Sequence, residues 1–203
     1  MAKSFTMAAT AMIAVMLAGC SQKANDQVAD VGNGAANATA STGNALSNAA
    51  GAVKDAVTPT PTGQEFVDKA AKSDAFEIAS AKLAEKSASS AEIKSFASMM
   101  IKDHTASTAK IKAAAAKASP AIKPDPTLTE DQNGNLSDLK ALKGADFDKK
   151  YADQQIDAHQ SALSLMRLYS DRGDVTSLKA AAGEILPKVE THLEKIKSIK
   201  DEL

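Results

Sequence analysis

Charge in this 203-residue chain is nearly balanced, with 24 Lys and Arg against 25 Asp and Glu, and neither its two arginines nor its scattered lysines form a basic cluster. That leaves no electrostatic footprint for nucleic acid. A single cysteine excludes an intrachain disulfide, so the fold must rest on its core, and past the first twenty residues no apolar run is long enough to cross a bilayer.

The chain opens with Lys3, the apolar run Met7–Met16 and the tetrapeptide Leu17-Ala18-Gly19-Cys20. A basic start, a short apolar stretch and small residues before a cut describe a secretory signal over residues 1–19. A cysteine at that cut resembles the mark of a bacterial lipoprotein. Cys20 is then the lipidation site, carrying palmitate-type acyl chains, and the mature protein begins there. One chain binds a bilayer marginally and several anchor it stably. Ser21 follows the cysteine where inner-membrane retention favours Asp, so the expected location is the outer membrane, facing the periplasm.

Residues 20–62 are almost wholly Ala, Asn, Gly, Ser and Thr, ending in Thr58-Pro59-Thr60-Pro61-Thr62. Such a stretch buries too little apolar surface to offset its ordering entropy. It reads as a tether, and as a flexible coil of about 42 residues it reaches roughly 35 Å. Within it Leu46, Ala49, Ala50, Val53 and Val57 recur at helical spacing.

From Gln64 the pattern becomes helical, and residues 63–203 form the folded domain. A first helix is predicted over Gln64–Lys86 and a second over Ala91–Lys117, with Ser89-Ser90-Ala91-Glu92 as a capping box. Pro120, Pro124, Pro126 and Asn133-Gly134-Asn135 then break the chain, leaving room for a short helix at Leu136–Leu142. A third helix starts after Asp146 and stops at Gly173. Asp174 caps a fourth, which runs to about Lys200 and carries Pro187 inside it. Four long helices with two short turns and one long middle connection define an all-α, four-helix bundle with a ferritin-like crossover.

Each of the last three long helices carries one histidine on its apolar stripe. His104 shares a face with Ile93, Ala97, Met100, Ile111 and Ala115; His159 with Ala152, Ile156, Ala162 and Met166; His192 with Ala181, Ile185, Val189, Ile196, Ile199 and Leu203. The first helix contributes Glu77 on a stripe of mostly small residues. Counted from the turns, all four fall near the middle of the bundle. Imidazoles and a carboxylate meeting in a dry core suit zinc, copper or iron. The other reading is a buried hydrogen-bond network, in which Glu77 accepts from imidazole N–H groups. Asp103, one residue before His104, is placed to orient a histidine on a neighbouring helix or to form a salt bridge. Asp148 and Tyr151 lie in the first turn of the third helix, where Asp148 suits the dipole and Tyr151 the bundle end. Met99, Met100 and Met166 read as core filler.

Phe96-Ala97-Ser98-Met99-Met100-Ile101-Lys102-Asp103-His104-Thr105, with Phe147-Asp148-Lys149-Lys150-Tyr151, His159 and Leu186-Pro187 before His192, resembles a bacterial envelope family. It is the family called domain of unknown function four-one-four-two. The resemblance spans about Gln64 to Ile199 and implies a ferritin-like bundle, commonly exported or lipidated, without an established activity. The positions it carries over are Glu77, Asp103, His104, Asp148, Tyr151, His159 and His192. Di-iron bundles use Glu-x-x-His, and the residues three before the histidines here are Ile101, Ile156 and Val189.

The leading expectation is therefore a non-enzymatic lipoprotein with a structural or interaction role, its partners the membrane and an envelope protein. The alternative is a metal-binding or redox bundle built on the histidines. The anchor is tested by Cys20→Ser. The variant is expected to accumulate as unprocessed precursor or to leave the membrane fraction; normal processing and equal membrane retention would contradict the lipid anchor.

Overall fold

The structure, a computed structural model, describes residues 59–203. The signal, Cys20, the tether as far as Thr58 and the helical spacing at Leu46–Val57 lie outside the described residues. Five helices follow in order: α1 (Gly63–Ser87), α2 (Ala91–Ala115), α3 (Glu130–Lys140), α4 (Gly144–Arg172) and α5 (Thr176–Asp201). Among the described residues there is no strand, and no helix is long and apolar enough to cross a membrane.

The fold is the four-helix bundle that the periodicity predicts. Helices α1 and α2 form one hairpin, α4 and α5 the other, and the hairpins face each other with α1 against α4 and α2 against α5. The N-cap of α2 meets the N-terminal end of α4, because Ser90 N–H donates to Asp148 at 2.9 Å. At the other end, Ser177 near the start of α5 donates to the Ala114 carbonyl at the end of α2 at 2.8 Å. Helices α2 and α4 thus run parallel, and their connection must travel the length of the bundle. It does so along α1, where Lys72 holds Asp125 at 2.6 Å and Asp68 accepts the Asp125 N–H at 2.9 Å. The short α3 fills the rest of that span against α1 and α4.

Several ends are built differently from the expectation. Helix α2 is capped by Ser90, whose hydroxyl accepts from Ile93 N–H at 3.1 Å, so Ser89 is not the cap and no capping box forms with Glu92. Asp148 supplies the missing acceptor from across the bundle, taking the backbone N–H of both Ser89 and Ser90 and the Ser89 hydroxyl. Asp174 does not cap α5, whose N-cap is Val175. It accepts instead from the Tyr169 hydroxyl at 2.7 Å and from Gly63 N–H at 3.4 Å, joining the second turn to the start of α1. Gly173 does end α4, but at φ −57, so the glycine is not there for a left-handed turn. A Cβ at that position would stand 2.5 Å from the Tyr169 ring. Close approach demands the glycine, and it lets Tyr169 stack on Phe66 with centroids 3.9 Å apart. Helix α5 continues through Pro187, and Leu203, expected on its buried stripe, is exposed beyond its end.

Buried alanines at 70, 81, 84, 97, 115, 152 and 182 let the backbones approach closely, which suits a chain with only 3% aromatic residues. The apolar interior is divided in two. One half holds Phe66, Ile111, Met166, Tyr169, Leu178 and Val189. The other holds Ile93, Phe96, Met100, Phe147, Tyr151 and Ile196. Between them lies a layer of buried polar side chains from all four long helices, including Asp74, Glu77, Ser80, His104, Gln155, His159 and His192.

Candidate metal centre

Burying four ionisable side chains at mid-bundle is costly unless each finds a partner. The helices place them for that purpose. Helical side chains lean toward their own N-terminus, so in the antiparallel α1–α2 hairpin the leans of Glu77 and His104 converge. Glu77 Oε2 lies 3.0 Å from His104 Nε2 and 3.4 Å from His159 Nε2. The three imidazole centroids are 5.4–5.8 Å apart, and one ring nitrogen from each lies within 4.8 Å of the others. Phe96 closes the layer on one side, 6.1 Å from the His159 ring and 6.4 Å from the His192 ring.

The outward nitrogen of each ring is already committed. His104 Nδ1 meets Asp74 Oδ1 at 2.8 Å, and Thr108 holds the other oxygen of that carboxylate at 2.8 Å. His159 Nδ1 meets the Gln155 carbonyl at 2.8 Å, and His192 Nε2 meets Asp103 Oδ2 at 2.9 Å. A carbonyl or carboxylate only accepts, so these contacts assign the proton of each neutral ring to its outward nitrogen. The inward nitrogens, His104 Nε2, His159 Nε2 and His192 Nδ1, then present lone pairs. All three lack a hydrogen-bond partner, as does Glu77 Oε2; the 3.0 Å approach of Glu77 to His104 is close but not aligned as a hydrogen bond. Three lone pairs and an anionic oxygen facing one another repel unless something positive lies among them. His104, His159 and His192 are close enough together to hold a metal ion, and each ring's far side is fixed by a hydrogen bond, as it usually is in metal-bound histidines.

The electrostatics of the metal-free cluster follow. Burial disfavours charge on His104, but Glu77 beside Nε2 and Asp74 on Nδ1 overcome it and hold the imidazole up at about 10. Burial would raise Glu77, yet His104 and His159 bring it down to about 2. His192 goes the other way, to about 4, because burial dominates its bond to Asp103. Without metal the His104–Glu77 pair therefore keeps a proton.

Other residues singled out from the sequence fall elsewhere. Asp103 does support a histidine, and its Oδ2 also lies 3.4 Å from Lys188 Nζ. Asp148 is not brought to the histidines: it sits at the end of the bundle, spent on the α2 cap. Tyr151 is fully buried in the half of the core around Phe96, stacked on Phe147 with its hydroxyl unpartnered. Its phenol is pushed well above the ordinary range by burial and by the negative charge of Glu77. Asp74 was missed, although it lies three residues before Glu77 on the same helical face, a spacing as readable as those of the histidines. The Gln155 carbonyl carries no sequence signal at all.

Fold and cluster together define a class, a four-helix bundle whose hydrophobic core is interrupted by a tri-histidine, mono-carboxylate centre. The chain belongs to the family described as domain of unknown function (DUF4142), whose model matches residues 48–199. Among solved structures it is similar to CopM in the Cu(II)-bound form, with a TM-score of 0.60 and 18% identity over 71% of this chain and 99% of that one. It is also similar to CopM in the Cu(I)-bound form, with a TM-score of 0.58 and 17% identity over 70% and 97%. No curated protein matches the chain significantly.

The opposed shifts predict how the metal-free protein responds to pH. His104 is raised above the 6.5 of a free imidazole, so its contribution to stability is complete below 6.5 and is lost as pH rises toward about 10. His192 is depressed, so its contribution is complete above 6.5 and is lost as pH falls toward about 4. The lowered Glu77 extends the acid loss from 4.5 down to about 2. Acid destabilisation thus follows from burial at His192, while at His104 the close carboxylate reverses the sign. Thermal melts in chelator at pH 5, 6.5 and 9 should give the highest melting point at 6.5, with Glu77→Gln reducing the loss at pH 9. A wild-type melting point that rises steadily from pH 5 to 9 would contradict the ion pair.

Proposed function

We propose that this protein binds copper in the cluster of His104, His159, His192 and Glu77, as a carrier or store on the envelope side of a membrane to which Cys20 anchors it. The observation that carries the reading is the convergence of three unpartnered imidazole nitrogens and one unpartnered carboxylate oxygen, each ring being held by a hydrogen bond from its opposite nitrogen. A purely structural polar network would favour a geometry in which those inward atoms bond to one another, since an unsatisfied buried polar atom costs about 1–3 kcal/mol. Here His159 Nε2 and His192 Nδ1 have no hydrogen-bond partner even when His104 and Glu77 share a proton, which supports metal binding over the purely structural role.

Imidazole donors suit copper, zinc, iron and nickel, and intrinsic affinity peaks at copper(II). The similarity to CopM, solved with Cu(II) and with Cu(I), supports copper as the choice among them. Copper held by these side chains would supply a one-electron couple. What the chain's own residues do is fix the donors: Asp74, the Gln155 carbonyl and Asp103 orient the rings, and Ser73 donates to Glu77 Oε1 at 3.2 Å. The reading is of binding and not turnover. Ile101, Ile156 and Val189 occupy the positions where a dinuclear oxidase would place bridging carboxylates.

The chain purified without a histidine tag, loaded with excess copper and dialysed, should retain about one equivalent. His104→Ala and His159→Ala should each lose it while keeping the helical circular dichroism of the wild type. Retention of no transition metal, or full retention in both variants, would contradict the proposal.

A further inference from the structure

A buried centre needs a route from solvent, and the cavities of the bundle offer one. A cavity of about 860 Å³ is lined by residues of all four long helices and the crossover, and its α2 and α5 side carries Asp103, His104, Ser107, Lys188, Val189 and His192. Of the four donor residues, only His104 and His192 line it; Glu77 and His159 are fully enclosed. The cavity thus joins the ring pair nearest solvent to an outer rim where Lys188 is 58% exposed and Asp103 16% exposed. The α1 and α4 side of the same cavity includes Lys69, Ser73 and Ser161.

Asp103 is built for two tasks at this rim. Its contacts to His192 Nε2 at 2.9 Å and to Lys188 Nζ at 3.4 Å both use Oδ2. Oδ1 makes no bond among the described residues and belongs to a side chain that faces the cavity. Lys188 places a positive charge beside the same carboxylate, which offsets its attraction for a cation. Exposed ion pairs of this kind are weak, so the lysine swings away easily and acts as a screen and not as a lock.

We propose that metal reaches the cluster between α2 and α5, with Asp103 as its first ligand and Lys188 as the charge that limits the loading rate. This rests on the metal-binding reading above and adds its kinetics. The cation is held first by Asp103 Oδ1 and then passes to His192 and His104. Attraction at the rim controls how fast a charged ligand arrives.

The test is stopped-flow loading of the metal-free full chain with Cu(II), followed by quenching of tyrosine emission, with the equilibrium amplitude read in the same traces. Lys188→Gln should load about threefold to tenfold faster at low salt, with dissociation accelerated in step and the difference shrinking as ionic strength rises. Asp103→Asn keeps an amide oxygen to accept from His192 and loses the charge, and should load about tenfold more slowly. Lys69→Gln, on the α1 side of the cavity, should load at the wild-type rate. Wild-type rates in Lys188→Gln, or acceleration in Lys69→Gln alone, would overturn the route while normal amplitudes left copper binding standing. Absence of any saturable amplitude in the wild type would overturn both.

Discussion

A carboxylate with no exposure to solvent sits at the centre of this bundle, and every other feature of the middle layer answers it. Removing Glu77 from water is affordable only if positive charge comes with it. His104 supplies that charge as a proton shared with Glu77. Each ring in turn needs its outward nitrogen satisfied, which requires Asp74, the Gln155 carbonyl and Asp103. The polar layer is therefore a chain of obligations that begins at one residue and ends at the bundle's surface.

That layer also explains the split core. Two apolar halves, one around Phe66 and Tyr169 and the other around Phe96 and Phe147, provide the burial that holds the helices in register. The interruption between them is stable because both halves are anchored at their own ends. Asp174 ties Tyr169 to the start of α1, and Asp148 ties the start of α4 to that of α2. Neither end depends on the histidines, so the fold holds the rings in place through its own core and end contacts.

Much of this was legible in the sequence. Period-3.6 stripes and the proline-rich break gave the helices, the crossover and the mid-bundle height of Glu77, His104, His159 and His192. The family resemblance, carried by the Asp103-His104 stretch, is matched by the family model over residues 48–199. What was not legible depends on contacts between distant segments. Asp148 looked like a local dipole partner and Asp174 a local cap, because sequence shows only a residue's own helix. Both turned out to bond across the bundle, over separations of 58 and 111 residues. The direction of each ring was likewise hidden: periodicity places a histidine on a face, but only the partner of its outward nitrogen says which nitrogen points inward. That unseen detail moves the balance from a structural network toward a metal site.

The central claim is that three inward imidazole nitrogens and a carboxylate oxygen form one coordination sphere. X-ray absorption at the copper edge, recorded on the chain loaded with one equivalent, addresses it directly. The account predicts a first shell of nitrogen and oxygen only, with outer-shell scattering from three imidazole rings that falls to two in His159→Ala. A sulfur shell, or scattering from a single imidazole that is unchanged in that variant, would contradict it.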